Sequence, residues 1–75
     1  MDYHFTKRER EVIDLYAEGL LIKDVANELG ISRKTVEVHL SNISERFGSS
    51  RRAIAAQVIF ERGRREGMEA ARRAI

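Results

Sequence analysis

Apolar residues recur along this chain at helical spacing, and four separate runs of that kind can be read. Val12, Leu15, Tyr16 and Gly19 share one side of a predicted first helix over residues 7–18. Its start is marked by a capping-box pattern, Thr6 followed three residues later by Glu9, and Gly19 is placed to close it. Ile22, Val25, Ala26 and Leu29 predict a short second helix ended by Gly30. Its start is unusual, because Leu21 precedes it and has no side-chain acceptor for the free amides, although Leu20 can staple against Val25. Ser32 is a good cap for a third helix, Ile31 is placed to staple against Val36, and Val36, Leu40, Ile43 and Phe47 form its inner stripe. The outer face of that helix is then Arg33, Lys34, Glu37, Val38 and Ser41, with Asn42 and Glu45 further along.

Gly48, Ser49 and Ser50 break the third helix and offer a hydroxyl cap for a fourth, which begins at Arg51 or Arg52. This last helix carries Ala53, Ile54, Ala55, Ala56, Val58, Ile59 and Phe60, apolar nearly all round. One stripe suffices to cover the other three helices, so a surplus is left for another surface. Beyond Glu61, "RGRREGMEAARRAI" mixes Gly63 and Gly67 with a weak helical pattern of Met68, Ala71 and Ile75. The expected organisation is one all-α, four-helix domain over residues 1–63, with a basic tail or helix extension over residues 64–75.

Composition narrows the function classes. With 75 residues there is room for one domain and a modest core. Cysteine is absent, so neither a disulfide nor a thiolate-metal site is expected, and a reducing cytoplasm fits. The longest apolar run, Gly19-Leu20-Leu21-Ile22, is far too short for a membrane span or a signal sequence, so no membrane partner is expected. Charge is asymmetric. Residues 1–31 hold four Lys/Arg against seven Asp/Glu, a balance of −3, whereas residues 32–75 hold ten against five, a balance of +5. A basic second half points to a polyanion, with a solvated helix face as the plain alternative.

Ala26, Gly30 and Val36 stand at relative positions one, five and eleven across the second and third helices, which is a helix-turn-helix pattern. A small residue allows the helices to approach, a glycine takes the left-handed turn, and a branched residue locks the second helix on the first. An ordinary αα-corner would share the glycine.

The stretch "FTKREREVIDLYAEGLLIKDVANELGISRKTVEVHLSNISERFG" followed by "SSRRAIAAQVI" resembles the DNA-binding domain of LuxR-type transcription regulators, also called FixJ-like or GerE-like, over about residues 5–63. The specific positions are Thr6-Lys7-Arg8-Glu9, Glu11-Val12, Gly19, Lys23, Ala26, Leu29, Ile31-Ser32, Thr35-Val36, His39, Asn42-Ile43, Gly48 and Arg52. The resemblance implies a stand-alone helix-turn-helix domain whose third helix enters the major groove of double-stranded DNA and whose fourth helix makes a homodimer. Ala53, Ile54, Gln57, Val58 and Glu61 are the expected dimer contacts. It implies a sequence-specific transcription regulator in the cytoplasm, at the nucleoid, with no cofactor.

Ser32, Arg33, Lys34 and Thr35 surround the positive mouth of the third helix and are placed to hold phosphates, with Lys23 as a clamp on the other side. Glu37, Val38 and Ser41 are expected at base edges, with Asn42 and Glu45 behind them. Arg51 is a further candidate for phosphate, and Arg52 has two candidate roles, a phosphate contact or a pair with Glu9 or Glu11. His39 stands apart from His4 and from any ligand at metal spacing, so no metal is expected there; the resemblance implies a place near the DNA backbone and hence a phosphate contact, with an interhelical hydrogen bond as the plain alternative.

Three departures from the family pattern matter. Lysine is usual where Glu37 stands; a carboxylate there repels phosphate but accepts from the cytosine amine, unless it merely pairs with Arg33 or Lys34. Leu21-Ile22 replaces the usual hydroxyl cap, which leaves Leu20, Leu21 or Ile22 available to a protein partner. A phosphoacceptor or ligand-binding domain has no room in 75 residues; a complete chain would be controlled by its amount or a partner, whereas a fragment would have lost its switch. The competing class is a protein-interaction module that uses the same fold to bind another regulator or RNA polymerase. An enzyme is not expected, since no nucleophile-base pair or phosphate loop can be found and Glu9 and Glu11 diverge on their helix.

Overall fold

Four helices follow one another in the order read from the pattern: α1 (Lys7–Ala17), α2 (Ile22–Leu29), α3 (Arg33–Phe47) and α4 (Arg51–Arg73). The computed structural model describes residues 4–73, with side chains described for residues 4–64, and all regular structure among them is helical.

Each boundary has a local cause. At α1 the capping box is complete: the Glu9 amide donates to Thr6 Oγ1 at 3.2 Å, and the Thr6 amide donates to Glu9 Oε1 at 3.0 Å. Ser32 caps α3 by accepting from the Thr35 amide at 3.1 Å, and Ser50 caps α4 by accepting from the Ala53 amide at 3.1 Å. No side chain caps α2, where Leu21 occupies the cap position in extended backbone. Gly30 closes α2 at φ +65°, a conformation that glycine adopts without steric cost. Around it the Ile31 amide reaches back to Ala26 O at 3.0 Å and the Gly30 amide to Asn27 O at 3.3 Å, which satisfies two end carbonyls and turns the chain into α3. Glu18 closes α1, one residue before the expected Gly19.

Helix α1 is the hub, packing against α2, α3 and α4, while α3 also rests on α2 and α4. Val12, Ile13, Val25, Val36, Leu40, Ile43 and Ile54 are fully buried, with Ala26, Ala55 and Val58 nearly so. Ile13 lies one position off the stripe read from the pattern, whereas Leu15 and Tyr16 are only partly buried. Arg62 fastens α4 to α1 through Asp14 and Glu18, each at 3.4 Å.

Glu9 is the one charged residue in the core of the described region, 4% exposed. Arg46, near the end of α3, forms a fork on it at 2.6 and 3.1 Å and donates also to the His4 carbonyl at 3.1 Å. That hydrogen bond is the chief reason the Glu9 carboxyl is held below its ordinary value, against a smaller opposing effect of burial. The N-terminal segment is thereby pinned to α3, and Phe5 meets Phe47 edge to face at 5.6 Å in the same corner. Of the two candidate roles of Arg52, the pairing with Glu9 or Glu11 does not form, because Arg46 occupies Glu9 and Arg8 occupies Glu11 at 2.9 Å.

Helix α4 runs through Gly63 and Gly67 to Arg73 without a break, so the backbone of the expected tail is helical as far as that residue. Met68 and Ala71 lie on this helix, while Ile75 lies outside the described residues.

Candidate nucleic-acid interface

The helix pair α2–α3 sets the exposed side of α3 outward because its other side is committed. Val36, Leu40 and Ile43 are sealed in the core, and Phe47 packs partly buried at the far end. The opposite face therefore presents Arg33, Lys34, Thr35, Glu37, Val38, Ser41 and Asn42 to water, with Val38 48% exposed. An apolar side chain so open at the centre of a polar helix face gains nothing from the monomer.

At the mouth of α3, Ser32 Oγ accepts from the Thr35 amide and also lies 2.9 Å from Thr35 Oγ1. The amides of Arg33 and Lys34 belong to the helix's unpaired first turn and add to its positive end. Neither the Arg33 nor the Lys34 side chain makes an ion pair among the described residues. Two uncommitted cations and two free amides at one point make a receptor for an anion such as phosphate. Lys23, in the first turn of α2, is exposed as well.

His39 is half-buried on the flank of α3 and makes no hydrogen bond among the described residues, so the expected interhelical bond is absent there. No cluster of three or more His, Cys, Asp or Glu suited to a metal is found among the described residues.

Glu37 pairs neither with Arg33 nor with Lys34, the partners considered from sequence. Its Oε2 accepts from Arg51 at 2.8 Å, across the corner between α3 and the first turn of α4. A glutamate following its cation on a helix is the less favoured orientation, and Arg51 reaches it from another element. Arg51 is thus held by Glu37 in the free protein. Arg52 turns the other way, into a shallow groove with Tyr16, Ala17, Leu20, Ala55, Ala56 and Ile59, and stays exposed.

The candidate dimer residues divide. Ile54 and Val58 are buried in the monomer, 0% and 6% exposed, so neither can meet a second copy; a helix that is apolar all round gave no sign of which stripe turns inward. Ala53 is exposed, and Gln57 and Glu61 are half-buried and bonded to each other at 3.1 Å. The apolar surplus that stays in water is Ala53, Ala56, Ile59 and Phe60, the last 62% exposed. Of residues 20–22, Leu20 and Ile22 pack on the core, whereas Leu21 is 62% exposed. No helix among the described residues is long and apolar enough to cross a membrane.

Residues 4–59 match a family described as bacterial regulatory proteins, luxR family. The chain is 45% identical over 56 residues to the transcriptional regulatory protein UhpA of Escherichia coli K12, an alignment covering 75% of this chain and 29% of that protein. It is 41% identical over 61 residues to the spore germination protein GerE of Bacillus subtilis 168, covering 81% of this chain and 82% of GerE. The transcriptional regulatory protein LiaR of the same bacterium is 45% identical over 51 residues, covering 68% of this chain and 24% of LiaR. The chain thus spans less than a third of UhpA and LiaR but most of GerE.

Proposed function

Because the chain belongs to the luxR family of bacterial regulatory proteins, we propose that it regulates transcription as a homodimer that seats α3 in the major groove of double-stranded DNA. This is a family of regulators, not of enzymes. The observation that carries the reading is the outward face of α3, where Arg33 and Lys34 stand unpaired beside free amides while Val36, Leu40 and Ile43 anchor the other side.

Ser32, Arg33, Lys34 and Thr35 hold backbone phosphates on one wall of the groove, and Lys23 holds them on the other. His39, half-buried beside them, supplies a further backbone contact. These contacts fix register and give most of the affinity, which falls with salt as counterions cease to be released. Val38, Ser41 and Asn42 face the base edges, Val38 being suited to a thymine methyl group. Two copies joined through the exposed face of α4 address inverted half-sites about one DNA turn apart. The work is done in the cytoplasm, at the nucleoid, without a cofactor.

Exposed Leu21 favours a second reading, a module that binds a protein instead, with the same fold and weakened DNA contact. A gel shift on random-sequence duplex at rising salt separates the two. The DNA reading expects binding at low salt that weakens steeply as salt rises and leaves a selectable subset of sequences; no retention at any salt would support the protein module.

A further inference from the structure

Glu37 is the one acidic residue between Ser32 and Ser44, and it stands on a helix face whose proposed work is to approach a polyanion. A lone carboxylate there would be pushed away by the phosphates on either side. In the folded chain it is not alone. Arg51 Nη1 holds Oε2 at 2.8 Å, with both side chains reaching the surface, Glu37 48% and Arg51 31% exposed. Oε1 accepts no hydrogen bond from the described residues.

This pairing does three things at once. It cancels the charge that would oppose docking. It restricts a long, flexible side chain to one reach, so less freedom is lost when a base is met. And it leaves one carboxylate oxygen on the edge of α3, able only to accept, since an ionised carboxylate has no donor. In the major groove the matching donors are exocyclic amines, of which cytosine N4 is the partner suited to a glutamate.

We propose that Glu37 and Arg51 form one reading unit, in which Glu37 selects a cytosine in each half-site and Arg51 is the positioning residue that presents it. The inference rests on the DNA-binding reading above and adds to it a base and a role for a residue on a different helix. Arg51 touches no base in this arrangement. Its removal must therefore change sequence preference through Glu37, which a plain phosphate clamp cannot do.

The test is selection of duplexes from a random pool by the full chain and by Glu37→Gln, Arg51→Ala and Arg51→Lys, followed by salt titration on the selected duplex and on one with the cytosine replaced. Both side chains are at the surface, so circular dichroism melts of all three variants are expected to match that of the parent. The parent should select a C·G pair at one position of each half-site, and Glu37→Gln should move that position toward adenine. Arg51→Ala should lower discrimination there by about tenfold or more, and Arg51→Lys, which keeps the charge, should restore most of it.

An unchanged consensus in Glu37→Gln would overturn the inference. So would an Arg51→Ala variant that binds every duplex more weakly by the same factor, with a salt slope lower by about one, for that is the signature of a phosphate contact. A parent that binds all duplexes alike would remove the inference and leave DNA binding intact. A parent that retains no duplex at low salt would remove both.

Discussion

Replacing Phe60 by glutamate separates the two faces of α4. In the monomer Phe60 is 62% exposed, and a phenylalanine side chain offers roughly 200 Å², so about 120 Å² of apolar surface stands in water on each copy. A two-fold contact through α4 that covers both rings would remove about 250 Å² from water, which at ~25 cal/mol per Å² is about 6 kcal/mol. Ordering side chains and losing rotational freedom consume part of that. With half of it expressed, about 3 kcal/mol, Phe60→Glu should raise the dimer dissociation constant by about a hundredfold, and like charges facing across the axis raise it further. Because the ring rests on the monomer surface, the variant's monomer should keep its helicity and cooperative melt. Ile54→Asp is the contrast, since Ile54 is 0% exposed and a carboxylate in the core should unfold the chain. Sedimentation velocity over a concentration series, with circular dichroism melts of the same samples, reads both effects. A Phe60→Glu protein that dimerises like the parent would place the contact elsewhere and refute the reasoning.

Glu9→Gln retains a capping side chain but loses the charge under the Arg46 fork, so it should cost about 1–2 kcal/mol at neutral pH in urea unfolding. Since Arg46 holds the folded-state pKa of Glu9 below the ordinary 4.5, this contribution is fully present above pH 4.5 and fades as pH falls through the folded value; a cost that is the same at pH 7 and in strong acid would contradict it. Leu21→Ser supplies the missing cap of α2 and gives up a side chain that is mostly in water, so thermal stability should rise by about 0.5–2 kcal/mol, and a fall would show that Leu21 is held by contacts of its own. Lys34→Ala, at an exposed position, should weaken binding to all duplexes by a similar factor and lower the salt slope by about one, with no change in melting; a change of base preference would instead place Lys34 at a base edge.

The starts of the helices and the turn at Gly30 were legible because their causes are local, whereas the run of α4 through Gly63 and Gly67 was not. Thr6 with Glu9, Ser32 with Thr35, and Ser50 with Ala53 act over three residues, and Gly30 acts at its own φ, so each can be read from a short string. The outward residues of α3 were legible for a related reason, since Val36, Leu40 and Ile43 fix one side and a helix's period then fixes the other. What escaped reading depends on distant partners. Arg46 meets Glu9 across 37 positions and Arg51 meets Glu37 across 14, and both anions had nearer cations to choose from in sequence. The rotation of α4 escaped as well. With apolar residues on every side, its pattern named no inner stripe, and the choice fell to Ile54, Ala55 and Val58 only through the shape of the surface that α1 and α3 present. Arg52 followed that rotation toward α1, away from the mouth of α3.

The central claim is that the outward face of α3 is a DNA-docking surface, and an amide-resolved NMR titration with duplex at low ionic strength tests it most directly. Chemical-shift changes should concentrate between Arg33 and Asn42 and at Lys23, and should reverse as salt is added. Amides of α3 that stay unmoved while duplex is added in excess would contradict the claim.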